Sequence, residues 1–199
     1  MSSAALRPYP DPRAHFEARL DVHVIPVLPG YHEVTDDPDL ALMTLLGSCV
    51  AACIRDRRSG LGGLNHFLLP SGGGERETLS SRYGVHAMEV LINDILRTGA
   101  RKSDLEAKLF GGAEIIGTRA SETVGMRNAE FARAYLLQEG IHLVAEDLGG
   151  DRARRIFFIP TTGKVHVQRI RGSAARETEA QERALTHRTR PVSGGVELF

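Results

Sequence analysis

Val85, Met88, Leu91, Ile92, Ile95 and Leu96 recur at the three- and four-residue spacing of one helical face, and Thr98-Gly99 ends the pattern. The spacing predicts an amphipathic helix of about four turns. Its apolar stripe has to be buried against another layer. The segments on either side are short apolar runs broken by glycine and proline, which is strand punctuation rather than helix punctuation. The helix therefore predicts a sheet to lie on, and the fold class is α+β.

The individual strands follow from the same punctuation. Val22, Val24 and Val27 suggest a first strand, Pro29-Gly30 a turn, and His32 to Thr35 a short second strand. Cys49 to Ile54 and Leu64 to Leu69 flank the polar run Arg55 to Gly60 and are expected to pair antiparallel through it. Ser71-Gly72-Gly73-Gly74 opens a polar stretch to Arg82 that reads as a mobile flap. Leu105 to Phe110 reads as a strand stopped by Gly111-Gly112. A second helix is expected with Asn128 as N-cap, Phe131, Tyr135 and Leu136 on its apolar face, and Gly140 as its end. Ile141 to Ala145 is a further strand, and Arg155 to Ile159 with Val165 to Ile170 flank Thr161-Thr162-Gly163-Lys164 as a hairpin. No internal repeat is visible.

The 199 residues, 42% hydrophobic and 25% charged, suffice for one substantial core. The expected organisation is a disordered tail over 1–20 carrying Pro8, Pro10 and Pro12, a domain over 21–171, and a peripheral helix or flexible tail over 172–199. Twenty-five basic and twenty-five acidic residues cancel, which argues against a nucleic-acid partner or an anionic membrane drawn by net charge. The absence of a signal-like apolar stretch and of a membrane-length run predicts a cytoplasmic protein with no membrane insertion. Cys49 and Cys53 are separated by only three residues and are expected to be free thiols.

Cys49 follows Gly47 and Ser48 at the mouth of a strand, where small neighbours admit a substrate carbonyl and turn N–H groups can hold an oxyanion. If the hairpin turns near Arg58-Ser59, His66 becomes a direct or diagonal cross-strand neighbour of Cys49, within reach of its thiol proton. The pair is thus a candidate nucleophile and base. The bland alternative stands beside it: a lone cysteine is most often a small buried hydrophobe, and a lone histidine among apolar residues a hydrogen-bonded core residue.

Leu46-Gly47-Ser48-Cys49-Val50 and Gly63-Leu64-Asn65-His66-Phe67-Leu68-Leu69-Pro70 closely resemble two signature segments of CheD, the chemoreceptor glutamine deamidase family. The resemblance continues through Arg82 to Met88, Lys108 to Ala113, Arg127-Asn128, Glu146 to Gly150 and Phe158 to Lys164, so that it covers roughly residues 20 to 171. It implies hydrolysis of selected glutamine side chains of methyl-accepting chemotaxis receptors to glutamate and ammonia, with no metal or organic cofactor. The family's cysteine and histidine map onto Cys49 and His66. Its threonine stands six residues before the cysteine in some members, where this chain has Met43, and Thr44 one residue on is the candidate to orient His66. From the local turn chemistry, and not from the resemblance, Gly47 and Ser48 are the candidate oxyanion and substrate-binding positions. The implied fold is an α/β sandwich of mixed and antiparallel sheets flanked by two main helices, similar to the catalytic domain of the cytotoxic necrotizing factor toxins. The implied partners are the receptors and a CheC-type phosphatase.

Several other residues invite weaker readings. Cys53 should share a strand face with Cys49, where packing, a redox switch and a zinc site with His66 are alternatives; the zinc site lacks a fourth ligand at recognisable spacing. His86 reads as a structural residue opening the long helix or as a substrate contact near the flap. Gly111-Gly112 and Gly149-Gly150 lack the spacing of a nucleotide-binding loop and read as turns. Thr161, Thr162 and Lys164 fit hairpin-turn chemistry. An adaptor that acts on receptors by occupancy alone remains the alternative to an enzyme.

Overall fold

The computed structural model describes residues 9–69, 75–114 and 123–170, with backbone alone for 75–81. Among these, ten strands and two α-helices form. The strands are β1 (His15–Glu17), β2 (Val22–Pro26), β3 (His32–Thr35), β4 (Leu40–Leu46), β5 (Val50–Asp56), β6 (Gly62–Asn65), β7 (Leu105–Gly111), β8 (His142–Leu148), β9 (Arg154–Ile159) and β10 (Lys164–Arg169). The helices are α1 (Glu75–Arg97) and α2 (Val124–Glu139).

The strands divide into two mixed sheets, ordered β1-β2-β4-β9-β10 and β3-β6-β5-β7-β8. β2 runs parallel to β4 and β7 parallel to β8, while the other pairings are antiparallel. Ile25, Leu42, Leu46 and Phe158 of the first sheet meet Ala51, Cys53, Leu64 and Phe110 of the second in an apolar layer between them. On its other face the second sheet presents Val50, Ala52, Ile54, Phe67 and Leu109 to Met88, Leu91 and Ile95 of α1 and Ala132 and Leu136 of α2. The architecture is α+β, with both helices on the second sheet. β5 is covered on both faces, which is why Val50 to Ile54 is an unbroken apolar run without alternation. Each large apolar side chain fully buried in these layers contributes about 1.5–3 kcal/mol.

Four expectations are corrected. The tail expected over 1–20 is structured from Tyr9 onward: the Tyr9 hydroxyl donates to Asp37 Oδ2 at 2.8 Å, its ring lies 5.1 Å from that of His23, and β1 pairs with β2. These are tertiary contacts, invisible to local periodicity. The expected flap from Ser71 to Arg82 is helical from Glu75, so α1 runs 23 residues and His86 lies well inside it with its side chain exposed. Asn128 does not cap α2. Thr123 does, its hydroxyl accepting from the Met126 N–H at 3.2 Å. β4, a central strand of the first sheet, has no counterpart in the expected strands. The hairpin β9–β10 and the termination of α2 at Gly140, with φ 67°, match the sequence reading. The expected tail over 172–199 and the core of the Gly72-Gly73-Gly74 loop lie outside the described residues.

Candidate active site

Thr44, Cys49 and His66 converge from three stretches of backbone. β4 ends in the first sheet at Leu46, Gly47 and Ser48 bend the chain, and Cys49 delivers it into β5 of the second sheet. The nucleophile candidate therefore sits on the crossover between the two sheets. Cys53 pairs with Leu64, and Val50 forms a bridge with Phe67, exchanging both backbone hydrogen bonds at 3.0 Å. That register sets His66 opposite Ala51 and makes Cys49 its diagonal neighbour, about 7–8 Å away by backbone position. Side-chain parity then aims Cys49 and His66 into the same inter-sheet layer as Leu64 and Ala51. Cys49 is 0% exposed and His66 2%.

The side chains assembled around His66 decide its protonation pattern. Thr44 Oγ1 lies 2.7 Å from His66 Nδ1 and 2.7 Å from the Val27 carbonyl oxygen. A carbonyl only accepts, and a hydroxyl has one hydrogen to give. The Thr44 proton therefore goes to Val27, and Nδ1 donates to Thr44. The basic nitrogen of the neutral ring is then Nε2, the nitrogen a general base must use. Met43, the position six before the cysteine, points the opposite way, packing with Val22, Val24 and Phe157 on the outer face of the first sheet. Strand parity thus turns Thr44, and not Met43, toward His66.

The crossover is fixed through its carbonyls. Gly47 O accepts from the Ala113 N–H at 2.7 Å, Cys49 O from the Gly112 N–H at 2.7 Å, and Ser48 O from Asn128 Nδ2 at 2.7 Å. Gly111, at φ 111°, fits there because a Cβ would stand 2.1 Å from Cys49 O. Asn128 also accepts from the Leu69 N–H at 2.9 Å, so one buried side chain joins the Cys49 crossover to the segment after His66. Asn65 acts similarly, accepting from the Ala52 N–H at 2.9 Å and donating to Ala87 O of α1 at 2.9 Å. Sequence reasoning gave neither asparagine this part. The available signal was an amide on the apolar face of a helix, three residues before Phe131.

Tyr83, on α1, is a second residue the sequence reading left without a role. Its hydroxyl lies against Gly30, 3.4 Å from where a Cβ would stand. Burial raises its phenol above the ordinary value, and charge on Cys49 raises it further, so the two residues are within electrostatic reach. Cys53 is buried on β5, and burial pushes its thiol well above the ordinary range despite the nearby Lys108. Along an extended strand, four residues separate Cα atoms by about 13 Å. A disulfide needs about 4.4–6.8 Å, so Cys49 and Cys53 are not poised to form one. The Gly149-Gly150 turn, far from resembling a phosphate loop, is clamped by the buried Arg154, whose guanidinium donates to Asp147 and Gly149 O. Gly149 N–H in turn donates to Gly111 O at 2.9 Å.

Residues 68–169 match the model of the CheD family, described as CheD chemotactic sensory transduction. A protein of Janthinobacterium sp. (strain Marseille) is 44% identical over 190 residues, spanning 93% of this chain and 93% of its own. One from Xanthomonas campestris pv. campestris (strain B100) is 49% identical over 185 residues, spanning 92% of each. A third, from Thiobacillus denitrificans, is 44% identical over 190 residues, spanning 93% of this chain and 94% of its own. All three carry the name "Probable chemoreceptor glutamine deamidase CheD". Among solved structures, the Bacillus licheniformis hypothetical protein YfiH aligns with a TM-score of 0.38 at 20% identity, over 58% of this chain and 49% of that one, a likeness too slight to argue from. With identity of this order sustained over nearly its whole length, the chain belongs to the CheD family.

Proposed function

We propose that this protein is a cysteine-dependent protein-glutamine deamidase that converts selected glutamines of methyl-accepting chemotaxis receptors to glutamate in chemotaxis adaptation. The observation that carries the reading is the Val27–Thr44–His66 relay, which leaves Nε2 as the basic nitrogen of a histidine diagonal to Cys49. The names of the relatives supply the substrate.

In this scheme the Cys49 thiol gives its proton to His66, and the sulfur forms a bond to the glutamine Cδ. Backbone N–H groups of the Gly47-Ser48-Cys49 crossover hold the oxyanion as charge moves onto oxygen. The imidazolium protonates the amide nitrogen, the C–N bond breaks, and ammonia leaves a thioester. His66 then takes a proton from water as the water oxygen attacks the thioester, and the sulfur departs as thiolate. Thr44 keeps the ring in the required tautomer through both halves. The residues present provide every proton transfer.

Cytoplasmic placement belongs to the same proposal, in keeping with receptors modified on their cytoplasmic side. So do association with a CheC-type phosphatase and the likeness to the catalytic domain of the cytotoxic necrotizing factors. No helix among the described residues is long and apolar enough to cross a membrane. Incubation of the protein with receptor cytoplasmic fragments, followed by mass spectrometry, tests the activity: specific glutamines should gain the mass that replaces an amide by a carboxyl. A Cys49→Ala variant should produce none. Wild-type protein that binds the fragments without modifying them, and a Cys49→Ala variant that retains the cellular effect, would together favour the adaptor reading.

A further inference from the structure

Pro29-Gly30 makes a tight turn in which the Tyr31 N–H donates to Leu28 O at 3.0 Å and Gly30 takes φ 85°. Proline at the second position and a left-handed glycine at the third define a type II turn, which brings its first and last residues within about 7 Å of each other. Those two residues are Leu28, 60% exposed, and Tyr31, 68% exposed. A single exposed apolar side chain is ordinary on a protein surface; two held side by side on a constrained turn form a patch.

This patch is fastened to the candidate base on both sides. Gly30 N–H donates to His66 O at 2.7 Å, and His66 N–H donates to Tyr31 O at 3.0 Å. Val27 O takes the Thr44 hydroxyl, and Val27 N–H donates to Met43 O at 2.7 Å. Tyr83, within electrostatic reach of Cys49, rests against Gly30 at the centre of the turn. The other large apolar side chains exposed among the described residues, Met126, Leu137, Val144 and Val167, lie on α2, β8 and β10 and have no such connection to His66.

We propose that Leu28 and Tyr31 form the apolar rim on which the substrate protein docks, gripping apolar side chains that flank the target glutamine. The inference rests on the deamidase reading for its substrate. A glutamine entering between Cys49 and His66 brings its own backbone over the mouth of the site, and on a helix the neighbours three and four residues away lie about 5–6 Å from it. The rim is the exposed apolar surface bonded directly to the backbone of His66, and in this proposal it is where those neighbours land. Because five backbone and side-chain hydrogen bonds fix the turn before substrate arrives, docking orders little, and the apolar area contributes to recognition of the flanking residues. Glutamines flanked by charged residues should be passed over in favour of those with apolar neighbours.

The test uses full-length protein and a receptor cytoplasmic fragment. The double variant Leu28→Ser/Tyr31→Ser should raise KM about tenfold or more with a much smaller change in kcat, the pattern of lost docking. Tyr31→Phe should restore most of the affinity of the Tyr31→Ser single variant. Leu137→Ser, which removes a still more exposed leucine, 83% exposed, from α2, should leave both constants alone. A KM unchanged by the double variant overturns the proposal, and so does a fall in kcat with KM constant, which would make the turn a mere support for His66. Binding of the fragment to the same substitutions in a Cys49→Ala background separates the two readings. An inactive wild type with rim-dependent binding refutes the deamidase reading alone, whereas an active wild type with rim-independent binding refutes the docking rim alone.

Discussion

Thr44→Val is the substitution that most directly probes the proposed relay. Valine has the shape of threonine without the hydroxyl, so packing between β4 and the second sheet is preserved while two hydrogen bonds of 2.7 Å disappear. Thr44 is 3% exposed and His66 2%, so neither Val27 O nor His66 Nδ1–H gains water in exchange. Each buried polar group left unpaired costs about 1–3 kcal/mol of stability. The rate effect is separate. During both half-reactions the ring is an imidazolium, and a hydrogen bond to a charged group is worth about 1.5–3 kcal/mol, which converts to a fall in kcat of roughly 10- to 150-fold. Because the hydroxyl faces Val27 and His66, KM should change little. Initial rates of glutamine-to-glutamate conversion on a receptor fragment, read by mass spectrometry alongside a thermal melt, measure both quantities. Thr44→Ser, which restores the oxygen and loses a methyl, should recover most of the rate. A Thr44→Val protein that melts earlier yet turns over at the wild-type rate would refute the role in orientation and leave Thr44 a purely structural hydrogen bond.

Three further outcomes follow from named contacts. Gly111→Ala should cost at least about 2 kcal/mol, through a positive φ and a Cβ that would stand 2.1 Å from Cys49 O, and should depress activity beyond the loss of folded protein because it displaces the carbonyl of the proposed nucleophile; a thermal melt and a specific-activity assay check both. Cys53→Ala should retain deamidation, and the wild type should resist alkylation at Cys53 near neutral pH because burial raises that thiol; loss of activity in the variant would revive the redox reading. The hydrogen bond from His32 holds the Asp94 carboxyl below its usual range, so the folded state binds fewer protons there than the unfolded chain. This contribution is complete above an unfolded carboxyl value of about 4 and is lost as pH falls through the depressed folded one, and melts of Asp94→Asn against wild type between neutral and strongly acidic pH should converge at the acid end.

What could be read from the sequence depended on whether a residue's partners were local. The apolar register from Val85 to Leu96 located α1 because helix packing writes a 3.6-residue period into the chain. It missed the first turns of α1, since Glu75 to Ser81 carries no apolar period to read. β4 escaped for a different reason: Leu40 to Leu46 is covered on both faces at most positions, so alternation, the usual strand signal, is absent. The hairpin placed Cys49 and His66 near each other because a turn fixes register by counting, and the structure settles that as the diagonal arrangement. Thr44 against Met43 was not decidable by counting. The choice depends on where the strand ends and the bend begins, and one residue of bend reverses the side-chain direction. Asn128 was legible as a helix residue and mistaken for a cap, because a capping preference is local and its bonds to Ser48 and Leu69 are not.

The division of labour between the two sheets explains why these particular residues are brought together. Thr44 belongs to the first sheet and His66 directly follows β6 of the second, so their hydrogen bond spans the apolar layer that holds the sandwich closed. The crossover carrying Cys49 leaves one sheet at Leu46 and enters the other at Val50, and it is pinned meanwhile to Gly112, Ala113 and Asn128. Neither sheet can shift relative to the other without changing the separation of Cys49 and His66, the proposed nucleophile and base. A core packed at crystal-like density resists such a shift far more strongly than a surface loop would. Leu42, Leu46 and Phe158, which touch neither Cys49 chemistry nor substrate in the proposed scheme, therefore set its geometry. The rim at Leu28 and Tyr31 extends the same logic outward: the turn proposed to meet the substrate is anchored to the backbone of His66, so in the proposed scheme recognition and catalysis share one rigid support.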